Sequence, residues 1–117
     1  MNAVDVTAAL ARLTAEAPTE AREVTLSEGP AGAWALLYLP EGARWEAPGR
    51  PGGVTSALVL EGLATWATGG VRQTLTSGHL VVTASGEALT AHNDGRGPVS
   101  AVIGRSETPA ASPLLEA

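Results

Sequence analysis

The sequence predicts an all-β domain, a sandwich or barrel of short strands, preceded by one short α-helix. Three observations carry this. From about residue 23 to residue 103, short runs of β-branched and apolar residues alternate with Gly- and Pro-containing turns. The 117 residues are 44% hydrophobic and only 16% charged, a balance that suits one packed domain rather than a disordered chain. Helical spacing is confined to the first stretch, where Val6, Leu10 and Leu13 fall on one face.

The helix is expected from about Val4 to Ala17, with Asp5 as its N-cap and Pro18 as its stop. Its apolar stripe is narrow, so it should lie against something larger. Strands are expected near Glu23–Ser27, Trp34–Leu39, Val54–Glu61, Ala64–Ala67, Val71–Leu75, Leu80–Thr83, Leu89–His92 and Val99–Ile103. Glu61-Gly62 separates two strands. Gly69-Gly70 tolerates the positive φ of a two-residue hairpin loop. Pro40, Pro48, Pro51 and Pro98 cannot donate to a ladder and mark strand edges.

The stretch Val54–Glu61 is apolar on both faces, with Val54, Leu58 and Leu60 on one and Ala57 and Val59 on the other. Both faces should therefore be covered. A closed barrel covers one. The helix or a second subunit covers the other, and a homodimer is expected on this ground. The chain divides into a helix and linker (1–20), a barrel (21–106) and a C-terminal tail (107–117), a loose end in which Leu114 and Leu115 are available for docking.

Composition excludes several classes of function. There is no cysteine, hence no disulfide, zinc-thiolate site or thiol catalysis. The formal net charge is −5, and the arginines are scattered rather than striped, so nucleic acid is not an expected partner. The N-terminus lacks a basic segment followed by an unbroken apolar core, and no stretch approaches the roughly 20 apolar residues of a membrane span. No membrane association is expected, and the cytoplasm is the default location.

Two spaced patterns carry a resemblance. Gly42 is followed by five residues and Pro48-Gly49-Arg50, then four residues and Thr55, then six and Gly62. Gly78 is followed by five residues and Ala84-Ser85-Gly86, then two residues and Leu89, then three and Asn93. Both match without a gap the two motifs of the cupin family, which the chain resembles from Gly42 to Asn93. The resemblance implies a jelly-roll barrel, a double-stranded β-helix, and it implies that positions 48, 50, 55 and 89 would hold a metal. Here those positions are Pro48, Arg50, Thr55 and Leu89. Pro and Leu have no donor, Arg repels a cation, and Thr is a poor lone ligand. No metal and no other cofactor is expected.

With the metal positions changed, Trp45, Arg50, Thr55, Ala57, Val59 and Leu89 become candidates for lining a small-molecule pocket. An inward Arg50 needs an anionic ligand; otherwise it reaches solvent or pairs with Glu46 or Glu87. Trp34, Trp45, Trp66 and Tyr38 are most simply core residues. His92 falls on the face opposite Leu89 by alternation, and His79 follows a turn glycine, so both read as surface or interface residues. No catalytic residue is assigned. The expected function is a metal-free cupin barrel that binds a small molecule or serves as a dimeric scaffold or regulatory module. The alternative is a metal-independent isomerase, epimerase or lyase acting on a sugar or small acid, with His92 or a buried Glu as base and Tyr38 as acid. A third reading makes the N-terminal helix or the Leu114-Leu115 tail a docking element for another protein.

Overall fold

A computed structural model describes residues 3–30 and 32–107. They form helix α1 (Val6–Glu16) and strands β1 (Arg22–Gly29), β2 (Gly32–Leu39), β3 (Arg44–Ala47), β4 (Gly53–Glu61), β5 (Ala64–Thr68), β6 (Val71–Leu75), β7 (Leu80–Val82), β8 (Leu89–His92) and β9 (Val99–Glu107). Two antiparallel sheets face each other. One has the order β1-β2-β9-β4-β7, the other β3-β8-β5-β6. The expected Leu114-Leu115 docking element lies outside the described residues.

Alternation along each strand fills the space between the sheets. Ala35, Leu37 and Leu39 of β2, Ala57 and Val59 of β4, and Val99, Ala101 and Ile103 of β9 point inward. Trp45 and Ala47 of β3, Ala64 and Trp66 of β5, Leu75 of β6, and Leu89 and Ala91 of β8 meet them from the other sheet. Trp45 and Trp66 pack edge to face, with centroids 6.2 Å apart. Strand β3 has no counterpart among the expected strands. Its four residues alternate Arg44/Glu46 outward with buried Trp45/Ala47, too short a run to register between Pro40 and Pro48.

Helix α1 starts where Asp5 accepts from the Ala8 N–H at 2.9 Å. It ends at Ala17, a left-handed residue at φ 48° whose N–H bonds back to Leu13 and Thr14, immediately before Pro18. Its apolar stripe lies on the outer face of the five-stranded sheet. Leu13 is buried against Leu36 and Tyr38, with Val6, Ala9, Leu10, Leu26 and Leu60 around them. Two β-bulges aim residues there. The ladders skip a residue between Thr25 and Ser27 and between Val59 and Glu61. The skipped residues, Leu26 and Leu60, are the ones that pack beneath the helix. The helix thus uses its apolar stripe on its own sheet rather than presenting it to a partner. Among the described residues, no helix is long and apolar enough to cross a membrane.

Candidate functional site

The glycines of both motifs meet backbone requirements. Gly42, Gly62, Gly78 and Gly86 all have φ between 81° and 90°. At Gly62 a Cβ would also lie 2.5 Å from the Pro98 carbonyl oxygen, so no other residue fits the turn from β4 to β5. Asn93 is fully buried and acts as a staple. Its Nδ2 donates to the carbonyls of Leu39 (2.9 Å) and Gly97 (2.8 Å), and its Oδ1 accepts from the Gly95 N–H at 3.2 Å. Backbone bonds between Asn93 and the Gly42–Ala43 pair close the same corner.

The loop that carries positions 48 and 50 is held as tightly. Gly49 abuts the 86–87 backbone so closely that a Cβ would stand 2.0 Å from the Gly86 oxygen. Gly53 donates to the Arg50 carbonyl at 2.7 Å, and Gly86 donates to the Gly53 carbonyl at 2.9 Å. Thr55 is buried next to this loop. Its N–H donates to the Thr83 hydroxyl at 3.0 Å, and its carbonyl accepts from the Thr83 N–H at 2.9 Å.

The result is a cavity of about 500 Å³ at the barrel mouth. Pro48, Arg50 and Thr55 line it together with Glu28, Arg105 and Ser106. Leu89 does not. It pairs with Ala47 and is fully enclosed in the core. Trp45, Ala57 and Val59 also belong to the core cluster and not to the cavity lining. Arg50 and Thr55 are therefore the pocket candidates that the fold brings to the mouth. The other four are packing residues, because the interior between the sheets is filled by apolar side chains.

Arg105, two residues beyond the expected last strand, and Glu23, at the start of the expected first one, form a polar group beside the cavity. The guanidinium holds the Glu23 carboxylate through two bonds, 2.9 and 3.1 Å, and lies 6.0 Å from the centre of the Trp45 ring. The Trp45 indole N–H donates to the same carboxylate at 2.5 Å. Burial alone would raise the Glu23 pKa. The hydrogen bonds from Arg105 and Trp45 and the charge of Arg105 outweigh burial and hold it below the ordinary value of 4.5. The signal is present in the sequence: the inward alternation Val99, Ala101, Ile103 continues to Arg105 if the last strand runs two residues further.

Tyr38 and His92, the acid and one of the two candidate bases of the enzymatic alternative, do not meet. Tyr38 is buried beneath α1 outside one sheet. His92 pairs with Arg44 and Thr65 and lies in a groove on the outside of the other. The whole sandwich separates them, so they cannot act on one substrate. His79 is an exposed turn residue whose Nδ1 lies 2.9 Å from the Thr76 carbonyl.

No family model matches the sequence, and no curated protein matches it. Solved structures do match. A protein of Thermus thermophilus superposes with a TM-score of 0.78 at 18% identity, over 93% of this chain and 100% of that one. The Cupin_2 domain of an XRE family transcriptional regulator from Enterobacter cloacae gives 0.69 at 18%, over 76% and 98%. The cupin domain of Cnp3 from Schizosaccharomyces pombe gives 0.67 at 17%, over 74% of this chain and 64% of that one. The chain has the cupin fold.

In the cupin fold, the mouth is where the motif positions should gather ligands for a metal. The residues present do not fit one. Pro48 and Leu89 offer no donor, Arg50 and Arg105 bring positive charge to the mouth, and Thr55 turns its backbone to Thr83. Among the described residues, no three His, Asp or Glu side chains lie close enough to hold an ion. This cupin barrel keeps the backbone features of its motifs while the ligand positions carry other chemistry.

Proposed function

We propose that this cupin barrel works without a metal, as a non-catalytic module that binds a small polar molecule at its mouth. The observation that carries the reading is the content of the 500 Å³ cavity: Pro48, Arg50 and Thr55 stand at three motif positions, and Arg105 joins them. A cavity of this size matches small-molecule sites, where a few placed polar groups set orientation. Guanidinium forks recognise carboxylate and other planar anionic groups; the Arg105 fork holds Glu23, so Arg50 is the lining residue that favours a small acid as the ligand class. The Arg105–Glu23–Trp45 unit keeps the wall rigid. The cupin fold itself serves both enzymes and regulators, so the reading rests on the site and not on the fold.

The test is titration calorimetry of protein purified without chelators, against Mn²⁺, Ni²⁺ and Zn²⁺ and against a panel of small carboxylic acids. Stoichiometric metal binding is not expected. At least one acid should bind and should lose about tenfold in affinity in Arg50→Ala. One tightly bound metal per chain would overturn the reading.

A further inference from the structure

The mouth cavity has a second guanidinium, and it is already engaged. Arg105 lines the cavity, yet both of its terminal nitrogens bond the Glu23 carboxylate, at 2.9 and 3.1 Å. The same carboxylate accepts from the Trp45 indole N–H, and the guanidinium lies 6.0 Å from the centre of that ring. Glu23 on β1 and Trp45 on β3 belong to different sheets, so the three groups fix one another across the sandwich. A further carboxylate stands on the same wall. Glu28, Ala33, Arg105 and Thr55 occupy one cross-strand row over β1, β2, β9 and β4, and all four line the cavity. That wall therefore carries one guanidinium against two carboxylates, Glu23 and Glu28. The Arg105 and Glu23 side chains are 36% and 31% exposed, so the pair is within reach of a ligand.

We infer that Glu23 sets the charge of the ligand: by holding Arg105 it makes the mouth a site for monocarboxylic acids and turns dicarboxylic acids away. This rests on the reading of the mouth as an acid-binding site, in which Arg50 meets the first carboxylate of a ligand. A second carboxylate has two courses. It can face the Arg105 wall, whose charge is net negative and repels it. Or it can take Arg105 from Glu23. That exchange breaks a two-bond, charge-assisted contact and strands a part-buried carboxylate beside Trp45, so it gains nothing. Glu23 is thus a positioning residue, which acts on the ligand through Arg105. Removing its charge while keeping its shape should release Arg105 to the cavity and open a second anion position.

Titration calorimetry of the full chain tests this with three pairs of acids of equal length: propionate and malonate, butyrate and succinate, valerate and glutarate. Wild type is compared with Glu23→Gln and with the double variant Glu23→Gln, Arg105→Gln. In wild type the best monocarboxylate should bind at least about tenfold more tightly than the best dicarboxylate. In Glu23→Gln the best dicarboxylate should gain at least about tenfold, while the monocarboxylate changes by less than about threefold. The double variant should lose that gain. Equal weakening of both classes in Glu23→Gln would mean that Glu23 only stabilises the wall, and would overturn the inference. So would a wild type that binds dicarboxylates as tightly as monocarboxylates, a comparison that needs no variant and leaves the mouth as an acid-binding site intact. Failure of every acid to bind wild type would overturn the acid-binding mouth itself, and this inference with it.

Discussion

The outsides of the two sheets differ in chemistry although the same alternation builds both. On the four-stranded sheet the outward rows read Arg44, His92, Thr65, Thr74 and Glu46, Thr90, Ala67, Arg72. They line a broad polar groove of about 920 Å³. On the five-stranded sheet the middle outward rows are mainly apolar, partly roofed by α1 and partly exposed among the described residues. A half-buried antiparallel sheet normally has one wet face. The first sheet follows that pattern. The second carries apolar residues on both faces, and the helix accounts for only part of its exterior.

The largest effect should come from the roofed part. Leu36→Ala removes a fully buried side chain between sheet and helix and should cost about 2–5 kcal/mol in denaturant unfolding. A cost below about 1 kcal/mol would mean that α1 is loosely attached, and the contrast between roofed and bare regions would weaken. Next comes Gly104→Val, which forces the Trp34 indole off β9. About 1–3 kcal/mol of destabilisation is expected, together with a red shift of tryptophan fluorescence.

A smaller effect is expected at the mouth edge, where β1 joins the apolar sheet. The Glu23 pKa is depressed in the folded chain, so its contribution is complete above about pH 4.5 and is lost as pH falls through the folded value. Glu23 is part-exposed, so that contribution should stay under about 1 kcal/mol. Wild type should therefore lose more stability than Glu23→Gln between pH 5 and the acid transition, read as midpoints of urea unfolding at each pH. The smallest effect should be on the polar sheet. His92→Asn changes a groove residue and should alter stability by less than about 0.5 kcal/mol, with no change in sedimentation. A large loss there would show that the polar face is not merely solvated.

Much of the fold is legible in the sequence because its strands alternate and its turns use glycine. The Gly69-Gly70 hairpin forms as expected, with φ of 57° and 80° and Thr68 opposite Val71. Asp5 and Pro18 bracket the helix. The gap-free spacing of Gly42, Gly62, Gly78, Gly86 and Asn93 is readable because those residues answer local backbone demands, a positive φ at the four glycines and carbonyls to be capped at Asn93. The site is less legible. Arg105 escapes a reading by pattern because Gly104 ends the apolar run that marks a strand, although the backbone ladder continues to Glu107. A motif gives spacing and not depth, so it sets Leu89 beside Arg50. Its ladder partner Ala47 shows that Leu89 faces the packed interior. The two bulges that turn Leu26 and Leu60 toward the helix have no sequence mark, since a bulge is set by packing on both sides of the sheet.

Anomalous diffraction from crystals soaked in Mn²⁺ or Zn²⁺ tests most directly whether this cupin barrel has given up its metal. The account predicts no peak within coordination distance of Pro48, Arg50, Thr55 or Leu89. An ordered peak at the mouth, with protein ligands around it, would contradict it.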